Sequence, residues 1–204
     1  MADCRQLLQE GCAALNLEIS EDKVTKLLSF IDLLAKWNKA YNLTAINNKQ
    51  EMVGLHLLDS LTVLPYLNGQ RIIDIGTGAG LPGIPLAICR PDLNFTLLDS
   101  NAKKTRFVQQ VILELNLPNA QVIHSRAQDF QPATGFDTVL TRAFADLSEI
   151  IVLVRHLAAI NGKLIAMKAK CSEQELGKVS LPKDIIPVKI PGVAAERNLV
   201  CISL

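Results

Sequence analysis

The chain has 204 residues, of which 49% are hydrophobic and 20% charged, and its formal net charge is +1. This is enough apolar matter for one full domain core and too little net charge to bind nucleic acid through bulk electrostatics, so any basic surface must be local. No apolar run approaches the roughly 20 residues of a membrane span, the N-terminus Met1-Ala-Asp-Cys-Arg-Gln6 has no apolar leader core, and the five cysteines show no metal-ligand or C-x-x-C spacing. A cytoplasmic protein with reduced thiols, no metal and no membrane is therefore expected.

The first 70 residues read as helical. Residues 3–16 form a short helix around Leu7, Leu8, Cys12 and Leu15. Ser20 is the expected N-cap of a second helix, with Glu21 and Asp22 in its first turn. Its apolar stripe is Val24, Leu27, Leu28, Ile31 and Leu34, at helical spacing. The segment Trp37-Asn-Lys-Ala-Tyr-Asn-Leu-Thr44 breaks the stripe and reads as helix end and loop, with Trp37 and Tyr41 as packing residues. Residues 51–64 are helical again, up to Pro65.

From Arg71 the pattern alternates. Strands are expected at 71–75, 94–98, 121–124, 137–141 and 163–168, separated by helical stretches. One helix carries Phe107, Val108, Val111, Ile112 and Leu115. Another carries Leu147, Ile150, Ile151, Val154 and Leu157, is opened by Asp146 with Glu149 three positions on, and is closed by Asn161-Gly162. Such alternation indicates parallel βαβ units in a doubly wound sheet. Residues 184–190 and 198–203, joined through Pro191-Gly192, add a terminal antiparallel pair. The division expected is an N-terminal helical extension packed on the core (1–70) and an α/β domain (71–204).

The chemistry concentrates at Arg71-Ile-Ile-Asp-Ile-Gly-Thr-Gly-Ala-Gly-Leu-Pro-Gly-Ile-Pro85. Ile72, Ile73 and Ile75 suit a strand covered on both faces. Gly76, Gly78 and Gly80 suit a tight turn open to a ligand, and Pro82 suits the first position of a helix. Two ligands fit the spacing. Gly78-x-Gly80-x-x-Gly83 matches a dinucleotide fingerprint, and Asp74-x-Gly76-x-Gly78-x-Gly80 matches the first motif of S-adenosylmethionine methyltransferases. Asp99, at the end of the next strand, is placed to accept hydrogen bonds from a ribose diol; the competing reading is a helix cap. Arg126 and Arg142 each follow a strand and would line the crevice at the carboxyl edge of the sheet; the competing reading pairs them with acids such as Asp129 or Asp146. Phe144 is a stacking candidate. Lys103, Lys104 and Arg106 oppose the helix dipole, although a solvated face is the plainer account. His56, His124 and His156 share no metal-ligand spacing.

Together, Trp37–Thr44, His56-Leu-Leu-Asp-Ser60, Asp74–Pro85, Leu98-Asp-Ser100, Ser125-Arg126 and Thr141-Arg-Ala-Phe144 resemble the bacterial ribosomal RNA small subunit methyltransferase G family, also called glucose-inhibited division protein B. The resemblance covers nearly the whole chain and is strongest over 37–145. It implies a seven-stranded, Rossmann-like methyltransferase sheet, mostly parallel with an antiparallel C-terminal strand. It also implies S-adenosylmethionine as cofactor and N7 of a guanosine in 16S rRNA as target; the near-neutral net charge adds the expectation of a small-subunit particle as substrate, and a monomeric enzyme is expected. Carried onto this chain, it places Asp74, Gly76, Gly78, Gly80, Leu81, Asp99, Ala127, Gln128 and Arg142 at the cofactor, and Arg126 and Arg197 at RNA. Gln128 stands where relatives often carry an acid, and Leu55 where they are often basic. Guanine N7 has its own lone pair, so no general base is expected, and Arg142 is assigned to positioning.

Overall fold

The computed structural model describes residues 3–142, 145–194 and 196–204. Two helices lead, α1 (Cys4–Ala14) and α2 (Glu21–Tyr41). A nearly continuous helical segment follows: α3 (Lys49–Met52), a widened π-helical turn at Val53–Leu58, and α4 (Asp59–Leu61). The sheet is then built from β1 (Arg71–Ile75), β2 (Asn94–Asp99), β3 (Ala120–His124), β4 (Phe136–Thr141), β5 (Ala158–Lys168), β6 (Lys183–Val188) and β7 (Arg197–Ser203). Between the strands lie α5 (Gly83–Cys89), α6 (Ala102–Glu114), α7 (Leu147–Val154) and α8 (Glu173–Gly177).

The seven strands lie in the order β3-β2-β1-β4-β5-β7-β6. The pairings from β3 through β5 are parallel, and β7 runs antiparallel to both β5 and β6. The order reverses between β1 and β4, which is where open α/β sheets hold ligands. Alternate residues of β1 face opposite cores. Ile72 belongs to the apolar cluster that includes α1, α2, α5 and α6, whereas Ile73 and Ile75 belong to the one that includes α7. The first helices thus share one continuous hydrophobic cluster with one face of the sheet: Leu8, Leu27, Phe30 and Leu34 join Ile72, Phe95, Leu97 and Phe107.

Three local expectations change. Helix α2 continues through Trp37 to Tyr41 and ends at Asn42 in the left-handed region. The aromatic pair sustains it, because Trp37 stacks on Tyr41 at 5.2 Å between ring centroids and packs on Phe107 of α6 at 5.7 Å. Helix α7 stops at Val154 and passes through a tight turn at Arg155–Leu157, so Asn161-Gly162 does not close it. That dipeptide lies inside β5, where the register jumps from Phe136↔Ala158 to Thr138↔Lys163. Asn161 takes up the left-handed region there, at φ 63°. Helix α5 starts at Gly83, and Pro82 takes the position before it. Ser20 stands at the N-cap of α2 without donating or accepting a side-chain capping bond.

Among the described residues, no helix is long and apolar enough to cross a membrane, and no group of His, Cys, Asp or Glu could hold a metal ion.

Candidate active site

The glycine turn hangs from the end of β2. Gly76 N–H and Thr77 N–H both donate to the Leu98 carbonyl, at 2.8 and 3.0 Å. Gly76 and Gly78 have φ of +66° and +60°, a region that side chains rarely tolerate. A Cβ at Gly76 would meet nothing within 4 Å, so the outer face of the turn is open.

Asp74 supports this turn from behind. Its Oδ2 accepts from Thr77 Oγ1 at 2.6 Å and from Gly83 N at 2.9 Å, which locks turn and helix start together. Expected at the cofactor, Asp74 is instead buried and lines neither cleft. Burial raises its carboxyl to about 6, against the lowering pull of Thr77, Gly83 and Arg142. Gly80 likewise faces the protein: a Cβ there would sit 2.6 Å from Ile84 Cγ1. Both act by shaping the cradle, Asp74 through its Oδ2, while its buried Oδ1 makes no hydrogen bond among the described residues.

Two clefts meet at Gly76. The smaller, about 350 Å³, is lined by Gly76, Asp99, Ser125, Arg126, Ala127 and Gln128. Asp99 Oδ2 accepts from Gly78 N at 2.8 Å and Oδ1 from Asn101 N at 2.8 Å. A carboxylate has about four lone-pair sites, so acceptor capacity for a diol is left. The cap of α6 is Asn101, whose side chain accepts from Lys103 N and Lys104 N; Asp99 is therefore not the helix cap. His156 Nε2 contacts the carbonyls of Ala127 and Phe130, at 3.1 and 3.2 Å, and steadies the far wall.

The larger cavity, about 620 Å³, is lined by Gly76, Gly78, Leu81, Thr44, His56, Asp59, Arg142 and Arg197, with Lys104, Lys168, Lys170 and Glu175 around it. Cations outnumber acids here, so the local basic surface exists although the whole chain is nearly neutral. Arg142 and Arg197 converge on one carboxylate. Arg142 Nη1 lies 3.6 Å from Asp59 Oδ2, and Arg197 Nε lies 3.3 Å from Asp59 Oδ1. Asp59 is 3% exposed, and its Oδ1 lacks an aligned hydrogen bond. Burial raises its pKa, and the two guanidiniums oppose that shift. Of the acids suggested as partners of Arg142, Asp146 instead pairs with Lys178.

The three arginines are thus divided. Arg142 and Arg197 share the large cavity, whereas Arg126 is exposed at the lip of the small one. Phe144 lies outside the described residues. Asp59, His56 and Lys104 were not singled out as site residues from sequence. A signal for the first two existed: His56 and Asp59 are ionisable at i, i+3 within the run Val53–Leu61, whose only other polar side chain is Ser60. They sit on and just after the π-helical turn, a distortion frequent at functional sites.

The loop before them is held by α2. Asn38 Oδ1 accepts from Thr44 N at 2.8 Å, and Thr44 Oγ1 meets His56 Nε2 at 2.9 Å. Burial, then the Arg142 charge, lower the His56 pKa to about 4. Its folded pKa is below the unfolded value of 6.5, so the unfolded chain binds more protons between those pH values. The stability contribution is complete above about pH 6.5 and is lost as pH falls toward 4, by about 3 kcal/mol. Asp74 runs the other way: its raised pKa destabilises the fold as pH rises from 3.8 through about 6. Urea unfolding at pH 7 and 4.5 should therefore show a smaller acid loss in His56→Gln than in wild type. Asp74 titrates in both and drops out of the comparison. Equal acid losses would remove His56 as the source.

The family model for rRNA small subunit methyltransferase G matches residues 23–199. The chain is 49% identical over 199 residues to ribosomal RNA small subunit methyltransferase G of Chromobacterium violaceum, covering 95% of this chain and 94% of that protein. It is 47% identical over 199 residues to the protein of that name from Pseudomonas syringae pv. tomato, covering 95% and 93%. Among solved structures it is similar in fold to magnesium protoporphyrin IX methyltransferase of Synechocystis with bound SAM, at a TM-score of 0.60 and 18% identity, covering 91% of this chain and 99% of that one. It is also similar to the Pyrococcus abyssi tRNA (uracil-54, C5)-methyltransferase in complex with S-adenosyl-L-homocysteine, at a TM-score of 0.55 and 18% identity, covering 76% and 38%.

Proposed function

Because the chain belongs to the rRNA small subunit methyltransferase G family, we propose that it transfers a methyl group from S-adenosylmethionine to N7 of a guanosine in 16S rRNA. The observation that carries this reading is the meeting of two unlike clefts at Gly76. One holds an acid, Asp99; the other is ringed by cations. The cradle fits the cofactor. The open face of Gly76 admits close approach, Asp99 keeps lone pairs for a ribose diol, and Ala127 and Gln128 form the wall where an adenine would rest. Asp74 and Gly80 hold that cradle in shape, and Leu81 gives the large cavity an apolar floor.

S-adenosylmethionine supplies an electrophilic methyl on a sulfonium sulfur. The protein's share is alignment, because guanine N7 presents a lone pair and has no proton to remove. Positioning of this kind contributes on the order of 7–11 kcal/mol to a barrier. Arg142, 32% exposed at its side chain and tied to buried Asp59, is a preorganised donor for guanine O6 or a phosphate. Arg197 is held beside it, and Arg126 extends the cationic edge for RNA. His56, with its lowered pKa, stays neutral at physiological pH and adds no charge next to a base that becomes cationic.

The modest net charge favours a structured small-subunit particle over free RNA as substrate, recognised by a cytoplasmic monomer. Equal rates on protein-free 16S rRNA would contradict the particle. The decisive experiment is mass mapping of 16S rRNA from cells lacking this protein. One guanine should lose one methyl, and an unchanged methylation map would overturn the assignment.

A further inference from the structure

The first turn of α6 carries Lys103 and Lys104 and no acidic residue, an arrangement the helix dipole disfavours. Lys103 and Arg106 are exposed, as a solvated face requires, but Lys104 is half-buried. Its ammonium folds back over the glycine turn: Nζ lies 3.9 Å from where a Cβ of Gly78 would stand. It lines the large cavity. Among the described residues, Lys104 Nζ makes no hydrogen bond or ion pair, even with Asp99, which grips Gly78 through its amide. The other cations of that cavity differ. Arg142 and Arg197 share Asp59, Lys168 is paired with Glu175, and Lys170 is exposed.

We propose that Lys104 receives the carboxylate of the methionine portion of S-adenosylmethionine, an assignment that rests on the cofactor reading above. The two ends of the cofactor differ in kind. The nucleoside end offers uncharged hydroxyl donors, and the amino-acid end offers a carboxylate beside an α-ammonium. Asp99 accepts the donors and repels the anion, so the nucleoside belongs in the smaller cleft. The chain crossing Gly76 then brings the carboxylate into the larger cavity, where Lys104 is the half-buried cation without a protein acceptor. The turn at Gly78 thus presents an acceptor for the ribose through Asp99 and a cation for the carboxylate through Lys104. Arg142 and Arg197 already share Asp59.

The test is titration calorimetry of S-adenosylhomocysteine and its decarboxylated analogue, with wild type and Lys104→Met. Methionine keeps the apolar stem and removes the charge. Wild type should bind the decarboxylated analogue about tenfold or more weakly than S-adenosylhomocysteine, the range for a hydrogen bond to a charged group. Lys104→Met should lose that factor for S-adenosylhomocysteine and bind the analogue as wild type does; Lys104→Arg should recover part of it. Unchanged S-adenosylhomocysteine affinity in Lys104→Met, with or without weaker RNA binding, would overturn the proposal. So would an equal loss for both ligands. Failure of wild type to bind either ligand would overturn the cofactor reading itself, and is thereby distinguished.

Discussion

Replacing Arg142 with alanine is expected to cut methyl transfer by about 100-fold or more, the usual effect of removing one preorganised donor from a reacting site. The protein should remain folded. Asp59 keeps Arg197 at 3.3 Å after the change, and its raised pKa lets it take up a proton instead of standing as an uncompensated buried charge. A lowering of the melting temperature by a few degrees is the expected structural effect. Arg142→Lys separates charge from geometry. Lysine restores the partner of Asp59 but not the planar fork, so stability should recover while activity stays low. Single-turnover methylation and thermal unfolding of both variants check this. Wild-type rates in Arg142→Ala would remove the residue from the site, and full activity in Arg142→Lys would reduce its role to charge.

Asp99→Ala should weaken S-adenosylmethionine binding by about 10- to 100-fold, from the loss of hydrogen bonds to a charged acceptor. RNA affinity should be unchanged. Two effects add in this variant. The ribose loses its acceptor, and Gly78 N and Asn101 N lose the oxygens that hold them. Asp99→Asn tells them apart, since the amide keeps one acceptor oxygen and can donate from the other position. Binding intermediate between wild type and alanine is expected. Equal cofactor affinity in Asp99→Ala would overturn the ribose assignment, as would a parallel loss of RNA binding.

The parts of the fold legible in advance were those governed by burial pattern. Strands β1, β2 and β4 are buried on both faces, so their runs of Ile, Leu and Val stood out. The misreadings came where one signal has two structural outcomes. Asn161-Gly162 marks a left-handed backbone position in either case, and only the pairing of β4 with β5 makes it a bulge within a strand. Trp37 and Tyr41 read as the end of a helix because the aromatic partner of Trp37 is Phe107 of α6, far along the chain. Lys104 was read as one of three cations on a wet face, and nothing in the linear pattern distinguishes the one that folds over a glycine turn.

By itself, the sequence determined the strand–turn–helix that opens at Arg71, the alternation that builds a parallel sheet, and the chemical types available to the site. Those properties are local: backbone freedom at Gly76 and Gly78, an acid at the end of β2, an arginine after β4. The tertiary structure alone decided which of these groups share a cavity. Arg126 follows β3 at the sheet edge and faces the small cleft. Arg142 follows β4, the neighbour of β1, and faces the large one. Arg197 joins it because β7 runs antiparallel to β5, with Asn198 paired to Lys168, so the start of β7 lies at the edge where the parallel strands end. Asp59 draws both arginines together from a helix that precedes the sheet in sequence. Strand order and direction are properties of the whole chain's packing, and they place these charges side by side.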